Sequence, residues 1–64
     1  MNLNTLKIEM CLAEKGLSKS EYAKQCNISR QNLSTILQRG SCEPVTMGKL
    51  ANGLGVPVSE IVRE

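Results

Sequence analysis

The chain contains no histidine, no tryptophan and no phenylalanine, and Tyr22 is its one aromatic residue. Without histidine, most general acid–base and triad chemistry loses its usual participant, so an enzyme is not expected. With so few aromatic and β-branched residues, the core has to come from Leu, Ile, Val, Met and Ala, which suits an all-α domain. No apolar run approaches the ~20 residues that cross a bilayer. The start of the chain also lacks the charged-then-apolar layout of a signal peptide, so a cytoplasmic location is the expectation. Cysteine is scarce: Cys11, Cys26 and Cys42 are odd in number, widely spaced and form no C-x-x-C. A zinc site normally takes four ligands, so no metal or other cofactor is expected. Cys11 and Cys26 read instead as small buried hydrophobes, with Cys42 in a loop.

Sixty-four residues leave room for one small domain, spanning 1–64. A chain of this size buries only about 60% of the surface that its unfolded form exposes, so its stability is expected to be modest. Acidic residues are missing from one stretch in particular. Between Tyr22 and Cys42 there is none, whereas Lys24, Arg30 and Arg39 are basic. Residues 1–21 balance in charge and 43–64 carry a slight negative excess, so the net +2 is concentrated in the middle third. A polyanionic partner accounts for that distribution, and so does a chance cluster on a solvated face until the positions are considered.

The pattern of apolar residues predicts five helices. The first is expected from about Leu3 to Glu14, with Ile8, Cys11 and Leu12 at helical spacing, Lys7, Glu9 and Lys15 toward water, and Gly16 as its stop. Leu17 should pack back on it. Ser18-Lys19-Ser20-Glu21 has the form of a capping box and announces a short second helix through Tyr22, Ala23 and Cys26. Asn27 tolerates the left-handed backbone that a turn requires. Ser29 is a good N-cap for a third helix over residues 30–38, whose apolar face is Leu33, Ile36 and Leu37. Arg30, Gln31, Ser34, Thr35 and Gln38 occupy the opposite face, and each can form hydrogen bonds. After a loop from Gly40 to Pro44, a fourth helix is expected from near Thr46, burying Met47, Leu50, Ala51 and Leu54. Gly48 and Gly53 weaken it by about 1 kcal/mol each relative to alanine. A last short helix is expected from Pro57 to Arg63, with Val58, Ile61 and Val62 inward.

The segment from Lys19 to Gln38 requires two short helices to cross steeply. Ala23 keeps the crossing small, Asn27 turns the chain, and Ile28, Leu33 and Ile36 anchor the third helix by its apolar side. Its polar side then projects outward, in a shape that a DNA major groove about 12 Å wide admits.

On these residues the chain resembles the phage lambda repressor/Cro type of helix-turn-helix regulators. KGLSKSEYAKQCNISRQNLSTILQRG follows the family pattern of a capped second helix, a turn and a polar recognition helix closed by glycine. TMGKLANGLGVPVSEIV is similar to the family's fourth and fifth helices. The resemblance implies a compact five-helix domain with the helix-turn-helix formed by helices 2 and 3. It also implies sequence-specific binding of double-stranded DNA and a role as a transcription regulator, namely a repressor of phage or mobile-element type. Carried over position by position, Arg30, Gln31, Ser34 and Thr35 match residues that contact base edges. Lys19, Ser29, Asn32, Gly40, Ser41, Thr46 and Lys49 match residues placed at or near the DNA backbone. Lys19 departs from the usual glutamine and keeps a charge contact to phosphate without an acceptor. Leu12 and Leu37 stand where the family often has an arginine and a glutamate, and are expected to touch. Such regulators usually act as homodimers on inverted-repeat operators. The last helix and Leu3, Leu6 and Met10 are the candidate dimer surface, or they complete the core. A protein–protein adaptor or antitoxin-like module on the same scaffold is the competing reading, and would tolerate acidic or apolar residues on the third helix's outer face.

Overall fold

Three of the four helices end on a glycine in the left-handed conformation (Gly16, Gly40 and Gly55), and the remaining one ends on Asn27 with φ 62°. A computed structural model describes residues 1–63, and Glu64, the last residue of the expected domain, lies outside the described residues. The element order is strand β1 (Asn2–Leu3), α1 (Thr5–Lys15), α2 (Lys19–Cys26), α3 (Arg30–Arg39), α4 (Pro44–Leu54), a 3-10 turn (Val58–Glu60) and strand β2 (Val62–Arg63). The described residues are therefore mostly helical, with four α-helices where five helices are expected. No helix among the described residues is long and apolar enough to cross a membrane.

The helix starts follow local chemistry. Asn4 caps α1 by accepting the Lys7 N–H on its Oδ1 at 3.1 Å, which moves the start from Leu3 to Thr5. Ser18 and Glu21 form the expected capping box: Ser18 Oγ accepts the Glu21 N–H at 3.1 Å and Glu21 Oε1 accepts the Ser18 N–H at 3.0 Å. Ser29 Oγ accepts the Asn32 N–H at 3.0 Å and starts α3. The fourth helix begins at Pro44 instead of Thr46, because proline at the first helical position has no N–H to leave unpaired and its φ already suits the helix.

The capping box makes a measurable prediction. The Ser18 N–H, followed by the Ser18 side chain, holds the Glu21 carboxyl below its ordinary pKa of 4.5. A carboxyl whose pKa is lowered on folding supports the fold fully above its ordinary value, and that support is lost as pH falls through the lower folded value. Ser18→Ala is expected to cost about 1 kcal/mol at neutral pH. Glu21→Gln, which removes the carboxyl that the Ser18 N–H holds, should flatten the acid side of the stability profile, as read by urea unfolding at several pH values.

The expected last helix is corrected. Val58, Ile61 and Val62 do have i, i+3, i+4 spacing, but the segment makes a single 3-10 turn and then extends. β2 pairs antiparallel with β1, Leu3 opposite Val62 and Asn2 opposite Arg63. Ile61 is fully buried while Val58 is exposed, so Val58 does not face inward. On its other side β1 meets the segment after α3: the Leu3 N–H donates to Gly40 O at 2.8 Å and the Cys42 N–H donates to Met1 O at 3.0 Å. This three-way join explains why Leu3 is buried in the core and not on an outer surface. Lys7, expected toward water, forms an ion pair with Glu60 at 3.4 Å and ties the 3-10 turn to α1.

One core joins all four helices. Ile8 and Leu12 come from α1, Tyr22, Ala23 and Cys26 from α2, Leu33 and Ile36 from α3, and Met47, Leu50, Ala51 and Leu54 from α4. Leu17, Ile28 and Leu37 pack on it from the edges. Tyr22 is fully buried, and its hydroxyl donates to Leu50 O at 2.7 Å, so the lone aromatic locks α2 to α4 without leaving a buried polar atom unpaired. Burial raises the pKa of this phenol well above its ordinary value, which keeps it neutral. Cys26 is buried as expected, Cys42 lies in the loop, and Cys11 is only half-buried at the core's edge. Burial also pushes the Cys26 and Cys42 thiols up, so neither is a ready nucleophile.

Candidate nucleic-acid interface

Helix α3 is amphipathic because its apolar residues recur at 33, 36 and 37. Leu33 and Ile36 are buried and Leu37 is half-buried, which fixes the helix along one side. At about 100° per residue, the opposite side belongs to Gln31, Thr35 and Gln38, with Ser34 and Arg39 at its margins. Arg30, Gln31, Asn32, Ser34, Thr35, Gln38 and Arg39 are all exposed, and none of them is acidic or apolar. Among the described residues neither Arg30 nor Arg39 takes part in an ion pair, and both side chains are exposed.

The turn before α3 sets its direction. Three residues, Asn27–Ser29, separate it from α2. Asn27 takes the left-handed conformation, and the Ile28 N–H donates to Ala23 O at 3.0 Å, folding the chain back across the end of α2. Ile28 then packs at the core's edge, and the small, buried Ala23 leaves room on the inner side of α2.

Two open grooves flank α3. The first, about 480 Å³, brings Asn32 and Arg39 of α3 together with Ser41 in the loop and Thr46 on α4. Glu43 also lines it, one residue beyond the acid-free stretch. The second, about 390 Å³, brings Ser34, Leu37 and Gln38 of α3 together with Lys19 at the start of α2 and Thr5 and Glu9 of α1. Of the residues expected at the DNA backbone, Asn32, Ser41 and Thr46 therefore share one groove, and Lys19 lies in the other. Lys49 is exposed one helical turn beyond Thr46 and lines neither groove. Gly40 has both main-chain groups engaged inside the protein: its N–H donates to Ile36 O at 2.9 Å and its carbonyl accepts from Leu3. It thus has no free backbone group for a phosphate.

Three features of this surface were not anticipated. Thr35 Oγ1 donates to Gln31 O at 3.0 Å, so its proton is committed to the helix and its hydroxyl is left to accept. Arg39 belongs to the first groove and is more than a basic helix end; its charge within the acid-free stretch was the available signal. Lys19 Nζ lies 3.6 Å from Glu9 Oε1, a pairing between two helices that spacing along one helix cannot reveal. No group of three or more metal-ligating side chains occurs among the described residues.

A mostly helical fold thus presents one short, acid-free polar helix between two grooves. The chain belongs to the family of Cro/C1-type HTH DNA-binding domains, which matches residues 7–63. That membership identifies DNA as its partner and transcription regulation as its field of action, in a family that is generally non-enzymatic. Comparisons with curated proteins and with solved structures find no match.

Proposed function

We propose that residues 1–64 act as a single domain in the cytoplasm that binds duplex DNA sequence-specifically, with α2 and α3 as the helix-turn-helix and α3 seated in the major groove. The observation that carries this reading is the exposed face of α3, polar throughout and without an acidic residue. Arg30 and Gln31 lie in the first turn of α3. Arg30 suits a bidentate contact to guanine and Gln31 one to adenine. Ser34 and Thr35 complete the base-reading set, Thr35 as an acceptor. Lys19, Ser29, Asn32, Ser41, Thr46 and Lys49 supply backbone contacts, joined by Arg39, while Gly40 shapes the loop between them. Affinity then rests on phosphate neutralisation and falls steeply with salt.

The regulator is proposed to be a repressor of phage or mobile-element type, in line with the resemblance to lambda repressor and Cro. One domain covers a half-site, so the functional unit on DNA is a homodimer across an inverted repeat. Besides the exposed Val58 in the last segment, Leu6 and Met10, one turn apart on α1 and 68% and 55% exposed, are apolar residues available for that contact; Leu3 is not. The same two residues are what an adaptor would use, which keeps that second reading in play.

Selection of bound duplexes from a random pool separates the two readings. The DNA reading expects an enriched inverted repeat. Arg30→Ala should lose about 1–3 kcal/mol of discrimination at one position of each half-site while keeping the fold. Failure to enrich any sequence would favour the adaptor.

A further inference from the structure

The ion pair between Lys19 and Glu9 stands at the edge of the proposed DNA surface. Lys19 is the first residue of α2, where a cation opposes the helix dipole, so it gains little within its own helix. Its Nζ lies 3.6 Å from Glu9 Oε1 of α1, and both side chains are about half exposed, at 47% and 57%. Exposed pairs of this kind add little to stability. The pair sits in the same groove as Ser34 and Gln38 of α3, so a carboxylate faces the flank along which a phosphate backbone would run.

We propose that Glu9 sets the affinity for DNA by holding Lys19 in the free protein, its carboxylate standing where a phosphate oxygen has to come. This rests on the reading of α3 as the DNA-binding helix. Binding exchanges one anionic partner of Lys19 for another and leaves Glu9 unpaired beside the duplex, so one phosphate contact yields almost no net release of counterions. Neutralising Glu9 restores that release. One further neutralised phosphate steepens the dependence of log K on log salt by about 0.9. A gain absent near 1 M salt therefore becomes roughly eightfold near 0.1 M.

The test is a fluorescence titration of a short mixed-sequence duplex over a series of salt concentrations. It uses the wild type, Glu9→Gln, Lys19→Gln, the double variant, and Glu14→Gln as an exposed acid of α1 outside the groove. Glu9→Gln should bind about five- to tenfold more tightly at ~0.1 M salt with a steeper salt slope, at an unchanged unfolding midpoint. Glu14→Gln should gain clearly less, and in the Lys19→Gln background the Glu9 substitution should gain clearly less than in the wild type. An equal gain from Glu14→Gln, a gain that is undiminished without Lys19, or no gain at all overturns the proposal while leaving the DNA reading intact. Absence of binding by every protein, even in dilute salt, removes the DNA reading and this proposal with it.

Discussion

Leu12→Arg alone is expected to lower the free energy of unfolding by about 3–5 kcal/mol, because it leaves an uncompensated charge in the core. Leu12 is 4% exposed on α1, and Leu37 of α3 packs against the same core at its rim. Small domains have only about 0.05–0.15 kcal/mol of stability per residue, so this one substitution should leave much of the protein unfolded at room temperature. Leu37→Glu is expected to cost less, since that side chain lines the groove beside Lys19 and is reached by water. The resemblance to lambda repressor and Cro places an arginine and a glutamate at these two positions, so the double variant should be more stable than Leu12→Arg alone. A double-mutant cycle by urea unfolding measures that coupling. A double variant no better than the worse single variant would refute the pairing of positions 12 and 37. Two leucines in place of two charges also suit a small core, because neither has to be desolvated.

The two internal glycines of α4 are expected to respond in opposite directions to the same change. A Cβ at Gly53 would stand 2.5 Å from Cys26 Sγ and 3.1 Å from Tyr22 Cε1, both on buried residues of α2. Overpacking of a filled core costs about 1–3 kcal/mol and outweighs the gain in helix propensity of about 1 kcal/mol. Gly53→Ala should therefore destabilise by up to about 2 kcal/mol net. At Gly48 nothing lies within 4 Å of the added Cβ, so Gly48→Ala should stabilise by about 0.5–1 kcal/mol. In a domain of this size each kcal/mol moves the melting temperature by roughly 4–8 °C, so thermal unfolding followed by circular dichroism resolves both signs. If Gly53→Ala proved as stabilising as Gly48→Ala, the close approach of α2 and α4 would be wrong. Helix propensity gives both glycines the same small penalty, because it is a local quantity and the Cys26 neighbour of Gly53 is 27 positions away.

The same division between local and distant explains which elements were legible. The boundaries of α2 and α3 follow from Ser18, Glu21, Asn27, Ser29 and Gly40, whose effects act within four residues, and they agree with the structure to within one residue. The buried stripe of α4 follows from the spacing of Met47, Leu50, Ala51 and Leu54. The two strands were not legible because two residues carry no alternation, and their pairing joins Leu3 to Val62 across nearly the whole chain. Val58, Ile61 and Val62 have helical spacing by coincidence; what decides their fate is the edge that β1 offers. Asn4 and Pro44 are the local signals for the true starts of α1 and α4, which apolar periodicity alone misplaces by two residues.

For the candidate interface, periodicity separates the inner residues of α3 from Gln31, Ser34, Thr35 and Gln38, whereas Arg30 falls beside Leu37 on the wheel and is exposed because it is the first residue of the helix. The acid-free stretch and the capping pattern supply the rest of that expectation. What the chain order hides is who approaches α3 from elsewhere. Glu9 comes from α1, and Glu43 joins Asn32, Arg39 and Thr46 only once the loop after Gly40 is pinned by β1. The commitment of the Thr35 hydroxyl to Gln31 is invisible for a different reason. A threonine inside a helix can turn its Oγ1 to the carbonyl four residues back or to solvent, and the backbone pattern is the same either way.

The most direct measurement is a titration of nitrogen-15-labelled protein with an enriched duplex, following the amide signals of α3 together with the side-chain signals of Arg30, Gln31 and Gln38. The account predicts that these signals move most, with Ser41 and Thr46 on one flank and Lys19 on the other. Tight binding of the duplex that leaves Arg30 through Arg39 unmoved would contradict it.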